Sequence, residues 1–182
     1  MLSDAAYRLV EVMDGMDLPV QSTGLAIAAR VQNGHTILAA GNGGSAAQAQ
    51  HFAAELTGRY LLDRRALPAM ALNADTAALT AIGNDYGFAQ VFARQVEAFA
   101  QPGNVLVLFT TSGNSENLIE AAKVAQANEM LVVGITGRDG GKLARECSLE
   151  LRVRSHDTPL IQTAHLMIAH EICKIVEEAC RN

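Results

Sequence analysis

The chain has 182 residues, 49% of them apolar and 18% charged, which fits one globular unit with a real core and excludes low-complexity or repeat architectures. Its net charge of −5 argues against a nucleic-acid face, which needs clustered Lys and Arg, yet allows a small anionic ligand held by backbone NH groups. No apolar run approaches the roughly 20 residues of a membrane span, and the acidic N-terminus is unlike a targeting peptide; Cys147, Cys173 and Cys180 are odd in number and follow no metal spacing, so reduced thiols and a cytoplasmic setting are expected.

Short apolar strands alternate with amphipathic helical stretches, which predicts an α/β fold around a parallel sheet. Leu2, Ala6, Leu9, Val10 and Met13 share a helical face and predict a first helix, ended by residues 15–19. A second helix is expected over 23–33, with Gly34 as its terminator. The first strand, 36–40, leads at once into Gly41-Asn42-Gly43-Gly44-Ser45, and the following helix reaches about residue 57. A second strand over 69–72 and an Ala-rich helix over 76–82 precede a turn at Asn84-Asp85-Tyr86-Gly87 and a helix to about 98. Pro102-Gly103 punctuates before a third strand, 105–109, which runs into Thr110-Thr111-Ser112-Gly113-Asn114-Ser115 and a helix from about 116. A fourth strand over 130–136, a loop over 137–141, a short helix, a fifth strand over 149–153 and a closing helix over 159–178 complete the series. With no linker, a single domain over 1–182 is expected, its helices in 1–33 and its α/β core in 34–182.

Both polar loops sit at the carboxyl end of a strand and lead into a helix, where open parallel sheets bind ligands. Gly41, Gly43 and Gly44 let the backbone approach a ligand, and Ser45 adds a hydroxyl. Thr110, Thr111, Ser112 and Ser115 supply hydroxyls at a helix start, an uncharged phosphate cradle. Gly and Ser also simply make turns, so each loop alone is ambiguous; two after strands expected to form edges are less so. His51 and Glu55, spaced i and i+4, share a face of a helix that Ala53, Ala54 and Leu56 mark as largely buried. The plain alternative is a surface pair. In the last helix stand Gln162, His165 and His170, among apolar neighbours that also suit core histidines. Gln162 and His170 are about 12 Å apart along a straight helix and roughly 80° apart around it. Arg59, Asn84 and Asp85 lie at element ends and pass equally as caps; residues 138–142 read as a turn without chemistry.

Taken together, GNGGSAAQAQHFAAELTGRY, LTAIGNDYGFAQVFARQVEAF, TTSGNSENLIEAAKVA, GITGRDGGKLA and IQTAHLMIAHEICKIVEE resemble the sedoheptulose 7-phosphate (phosphoheptose) isomerases, within the sugar-isomerase (SIS) domains. The resemblance implies a three-layer α/β/α sandwich with a five-stranded parallel sheet, flavodoxin-like winding and an N-terminal helical extension. It also implies a homotetramer with active sites near subunit contacts, acting in the first step of nucleotide-activated heptose synthesis, toward lipopolysaccharide precursors. Carried over by matched position, Asn42, Gly43, Gly44, Ser45, Glu55, Arg59, Asn84, Asp85, Thr110, Thr111, Ser112, Ser115 and Gln162 line the substrate, and Glu55 and His170 are the proton-transfer pair. His51, Glu55, Gln162 and His170 match the ligands of zinc-carrying members, which implies one Zn²⁺ per subunit and no nucleotide. Shared coordination by Gln162 and His170 requires an irregular helix or two different subunits. Three positions depart from the pattern: Gln48 where an acid is more usual, Thr110 for the commoner serine, and Thr158-Pro159-Leu160 where a basic residue often stands.

A dinucleotide-binding oxidoreductase is a rival, because Gly41-x-Gly43-x-x-Ala46 after a strand matches part of its fingerprint. The acid that should close the second strand is not at its end, where Leu72-Asn73 stands and Asp75 follows only two residues on, and this rival leaves the hydroxyl-rich second loop unexplained. Non-catalytic relatives that regulate replication initiation lack the glutamate and second histidine that this chain keeps as Glu55 and His170. Isomerisation of another sugar phosphate is the third alternative.

Overall fold

The computed structural model describes residues 1–181; Asn182, the last residue of the expected domain, lies outside them. In chain order the elements are α1 (Leu2–Met13), α2 (Asp17–Gln32), β1 (Ile37–Gly41), α3 (Gly44–Thr57), β2 (Ala69–Ala71), α4 (Thr76–Tyr86), α5 (Ala93–Phe99), β3 (Val105–Thr110), α6 (Glu116–Ala127), β4 (Leu131–Gly137), β5 (Leu149–Val153) and α7 (Thr158–Ala179). Short 3₁₀ turns lie at Phe88–Gln90 and Leu143–Glu146.

All five strands are parallel, in the order β2-β1-β3-β4-β5. Helices cover both faces, so β1 and β3 read as unbroken apolar runs with every residue buried. Alternate residues supply the two cores. Ile37, Ala39, Val105, Val107 and Phe109 pack under α2, α3 and α7, with Phe52 of α3 edge-on to Phe109 at 5.9 Å between ring centroids. Leu38, Ala40, Leu106, Leu108 and Val132 pack under α5 and α6 through Val96, Leu118 and Ala122. Each fully buried Leu, Ile, Val or Phe contributes about 1.5–3 kcal/mol. With no Trp and few aromatics, the core depends on many such increments.

Outside this sandwich α1 buries no residue completely. Leu9, Val12 and Met13 rest on the core edge, Leu2, Tyr7 and Val10 stay exposed, and Arg8 Nη2 donates to Asp157 Oδ2 at 2.6 Å. Asp157 in turn caps α7 by accepting from Leu160 N.

Several boundaries differ from the sequence expectation. α2 starts at Asp17 rather than 23, because Pro19 sits in the first helical turn, where its missing NH has no partner to lose. β2 stops at Ala71; beyond it the Asn73 side chain pairs with Gly41, accepting from its N at 3.2 Å and donating to its O at 2.8 Å, as a strand residue would. The expected turn at Asn84-Asp85-Tyr86 is the last turn of α4, which continues until Gly87 at φ +85°. The helix expected to reach 98 is split into a 3₁₀ turn and α5.

All three cysteines carry free thiols. Burial, helped by Glu150 and Glu146, pushes the Cys147 thiol up to about 12, and burial also pushes up Cys173. His165 is the core histidine of the plain reading: its Nε2 donates to Thr136 O at 2.9 Å, and burial lowers its pKa to about 4, so the ring is neutral. Among the described residues no helix is long and apolar enough to cross a membrane.

Candidate active site

The chain leaves β1 toward β2 and leaves β3 toward β4, on opposite sides. The loops at their carboxyl ends therefore diverge and open a crevice. These strands are inner neighbours, paired from Ile37↔Val105 to Gly41↔Phe109, and not the edge strands expected from sequence; β2 and β5 hold the edges.

Asn42, Ser45, Thr110, Thr111, Ser112, Ser115 and Gln162 line a pocket of about 120 Å³ in that crevice. Its floor is the N-terminus of α3, capped by Gly43, and its wall is the N-terminus of α6. A side chain at Gly44 would lie 2.6 Å from the Gln162 amide and would push that amide aside, so the glycine lets Gln162 reach over the start of α3. Thr110 Oγ1 is buried and accepts from Gly113 N at 3.1 Å, which shapes the turn and leaves Thr111 and Ser112 half-exposed. The turn over 138–142, expected to carry no chemistry, braces this loop together with Leu143: Leu143 N donates to Gly113 O at 2.9 Å and Lys142 N to Asn114 Oδ1 at 3.2 Å. Asn117, missed in the sequence, exchanges reciprocal amide hydrogen bonds with Asn42 at 2.9 and 3.0 Å and ties the two loops together.

Further along α3 and α7 a second group converges. His51 Nε2 lies 2.9 Å from His170 Nε2 and 3.2 Å from Glu55 Oε1. The side chains of His51 and Glu55 are 44% and 22% exposed, so the pair faces an open side and not the apolar wall expected from its neighbours. Tyr60 was also missed; its ring lies against His170 with centroids 5.5 Å apart and 30° between planes. Burial, with Glu171, Cys173, Glu55 and Glu177 adding, raises the Tyr60 pKa and keeps the phenol protonated.

One ligand atom from each of His51, Glu55 and His170 lies within 4.8 Å of the others. Two imidazoles and a carboxylate form the donor set of a three-residue catalytic zinc site with an open position. The residues therefore fit the metal. Gln162 stands apart: α7 is one continuous helix, so its backbone is about 12 Å along the axis from His170. The irregular-helix alternative falls, and the Gln162 side chain lies over Gly44 in the hydroxyl-lined pocket. Gln48 Nε2 donates to Gln162 O at 2.6 Å and fixes the two helices at this end. Arg59 is exposed just beyond α3. Asn84 and Asp85 are exposed on α4, bonded to each other at 2.7 Å, and do not line the pocket.

Comparison with known proteins bears on the family and the fold. The SIS domain family matches residues 2–137. The phosphoheptose isomerase of Aliarcobacter butzleri is 52% identical over 169 residues, 93% of this chain and 89% of that protein. That of Helicobacter hepaticus is 55% identical over 150 residues, 82% of this chain and 76% of its own length. Among solved structures, the phosphoheptose isomerase of Neisseria gonorrhoeae superposes with a TM-score of 0.91 at 43% identity, covering 97% of this chain and 95% of its own. That of Francisella tularensis gives a TM-score of 0.93 at 36% identity, over 97% and 94%. In sequence and in fold, this chain belongs to the phosphoheptose isomerase family of SIS-domain proteins.

Proposed function

We propose that the chain converts D-sedoheptulose 7-phosphate to D-glycero-D-manno-heptose 7-phosphate in the cytoplasm, the entry to nucleotide-activated heptose. The observation that carries this reading is the convergence of His51, Glu55 and His170 on the α3–α7 seam that also borders the phosphate-sized crevice. Ketose-to-aldose conversion moves a proton between adjacent carbons through an enediol, and a second between their oxygens. Glu55 takes and returns the carbon proton; His170 shuttles the oxygen proton. Thr111, Ser112, Ser115 and the α6 N-terminus hold the phosphate, while Asn42, Gly43, Gly44, Ser45 and Gln162 meet sugar oxygens. Zinc bound by His51, Glu55 and His170 would polarise the carbonyl as a Lewis acid; in this reading any contribution from Gln162 comes from another subunit.

Incubation of the zinc-supplemented protein with sedoheptulose 7-phosphate, followed by NMR, should give an aldoheptose 7-phosphate. A folded, metal-loaded protein that leaves the ketose unchanged would sink the assignment. Replacing Ser112 and Ser115 together by Ala should weaken substrate binding by roughly 1–3 kcal/mol, the scale of hydrogen bonds to a charged group. Unaltered affinity in calorimetry would remove the phosphate from this loop.

The protein is also read as a homotetramer that completes its sites between subunits. A pocket of about 120 Å³ is small beside the several hundred Å³ of ordinary ligand sites, and Arg59, Asn84 and Asp85 remain outside it. The exposed face of α1 and the apolar grooves beside it supply surface for contacts. Light scattering should give a mass several times 19.3 kDa; a monomer at micromolar concentration would contradict this.

A further inference from the structure

Behind the His51–Glu55–His170 group lies a buried ion pair that the proposed chemistry does not use. The Arg64 and Glu177 side chains are 0% and 1% exposed. Arg64 Nη2 donates to Glu55 O at 2.9 Å, and Nη1 donates to Leu56 O at 2.8 Å and Gly58 O at 3.0 Å. One planar guanidinium thus gathers the last carbonyls of α3, including that of the proposed base itself. Its Nε faces Glu177 Oε1 at 3.3 Å, as an ion pair without an aligned hydrogen bond. Glu177 also accepts from the backbone N of Tyr60, Leu61 and Leu62 at 2.9, 2.8 and 3.0 Å. Burial alone would raise the Glu177 pKa, but these NH groups and Arg64 outweigh it and hold the carboxyl below its usual range.

Seven residues separate His170 from Glu177 on α7, two turns that return to the same face about 10 Å further along. Glu177 therefore grips the loop after α3 on the stripe that carries His170, and that grip lays the Tyr60 ring on the imidazole. Gln48 and Gln162 tie the same two helices on the other side of the group. From this arrangement we infer that Arg64 and Glu177 are positioning residues: their clasp sets the spacing of Glu55 and His170 across the α3–α7 seam. The inference rests on the isomerase reading for its kinetic consequence, and on geometry alone for its effect on metal binding.

The test uses Arg64→Lys, which keeps the charge but gives up the fork, and Glu177→Gln, which keeps the shape but gives up the charge. Ile27→Val, a change in the buried core on α2 that alters neither member of the clasp, serves as a control for simple destabilisation. Folded protein of each is assayed for sedoheptulose 7-phosphate turnover and titrated with Co²⁺ alone, read by its visible absorption. Both clasp variants should lose ten- to a hundredfold in kcat with KM changed less than twofold. Co²⁺ affinity should fall about tenfold, the scale of losing an outer-shell support, while Ile27→Val lowers the melting temperature and alters neither. Arg64→Lys retains a buried cation opposite Glu177, so the test does not depend on Glu177→Gln folding. Normal kcat and normal Co²⁺ affinity in the folded variants would overturn the clasp while leaving the isomerase reading intact. A wild type that binds Co²⁺ but never isomerises, with variants that bind it more weakly, would support the clasp and remove the isomerase reading.

Discussion

Glu55→Gln should abolish turnover without unfolding the protein: kcat falls by at least the ~10²–10⁴ typical of a lost general acid–base group, and substrate still binds. Glutamine keeps the size and the hydrogen-bonding reach of Glu55 but has no basic oxygen for the carbon proton. The side chain is partly exposed at the α3–α7 seam, so the amide fits without leaving a buried orphan, and the melting temperature should hardly move. His170→Gln should lower kcat similarly. A structural role for the pair predicts the reverse, a lowered melting temperature with normal turnover by the folded fraction. Measuring both on the same samples separates the two. A Glu55→Gln protein that melts normally and isomerises at the wild-type rate would end the catalytic assignment, and the same variants titrated with metal report whether Glu55 is also a ligand.

The largest loss from a single methyl group is expected at Gly113. Its φ of +66° lies in the left-handed region, and a Cβ there would stand 1.9 Å from Gly140 O, a backbone atom with no side-chain freedom to retreat. Gly113→Ala should therefore cost about 1–2 kcal/mol for the backbone conformation and about 1–3 kcal/mol for overpacking. For a domain of this size each kcal/mol lowers Tm by about 2–4 °C. The loop can escape the clash only by moving away from residues 138–143, which displaces Thr111, Ser112 and Ser115 together. Substrate affinity should then drop at least tenfold, more than either serine alone would cause. Gly113→Ala with wild-type melting and wild-type affinity would show that the brace between the two loops is dispensable.

Much of this architecture is legible in the sequence because its strands are buried on both faces and its breaks are chemical. The run 105–110 is all apolar up to Thr110, and 37–40 ends in the glycine loop, so both strands and the loops that follow them are legible from local composition, whereas their pairing as inner neighbours is not. The misreadings share a cause: a residue type with a strong local habit was placed by its neighbours otherwise. Pro19 reads as a terminator yet occupies a first turn, and Asn84 and Asp85 read as a turn yet finish a helix stopped only by Gly87. His51 and Glu55 can be paired from their spacing. Their meeting with His170 cannot, since it depends on how α3 packs on α7. Asn117, Tyr60, Arg64 and Glu177 carry no local signal at all, because each owes its place to a partner distant in the chain.

The placement of the thiols has a practical corollary. Cys173 lies on α7 and Cys180 caps its C-terminus, with their sulfurs turned toward backbone carbonyls of α3 and α2, Phe52 O and Ala28 O, each at 3.9 Å. Burial raises the pKa of both, so little thiolate exists while the helix is docked. An alkylating reagent consequently meets Cys173, which is fully buried, only when α7 lifts from its neighbours. Since α7 also carries Gln162 and His170, the rate of alkylation at Cys173 becomes a clock for the opening of the helix on which the chemistry depends, read without a fluorophore in a chain that has no tryptophan.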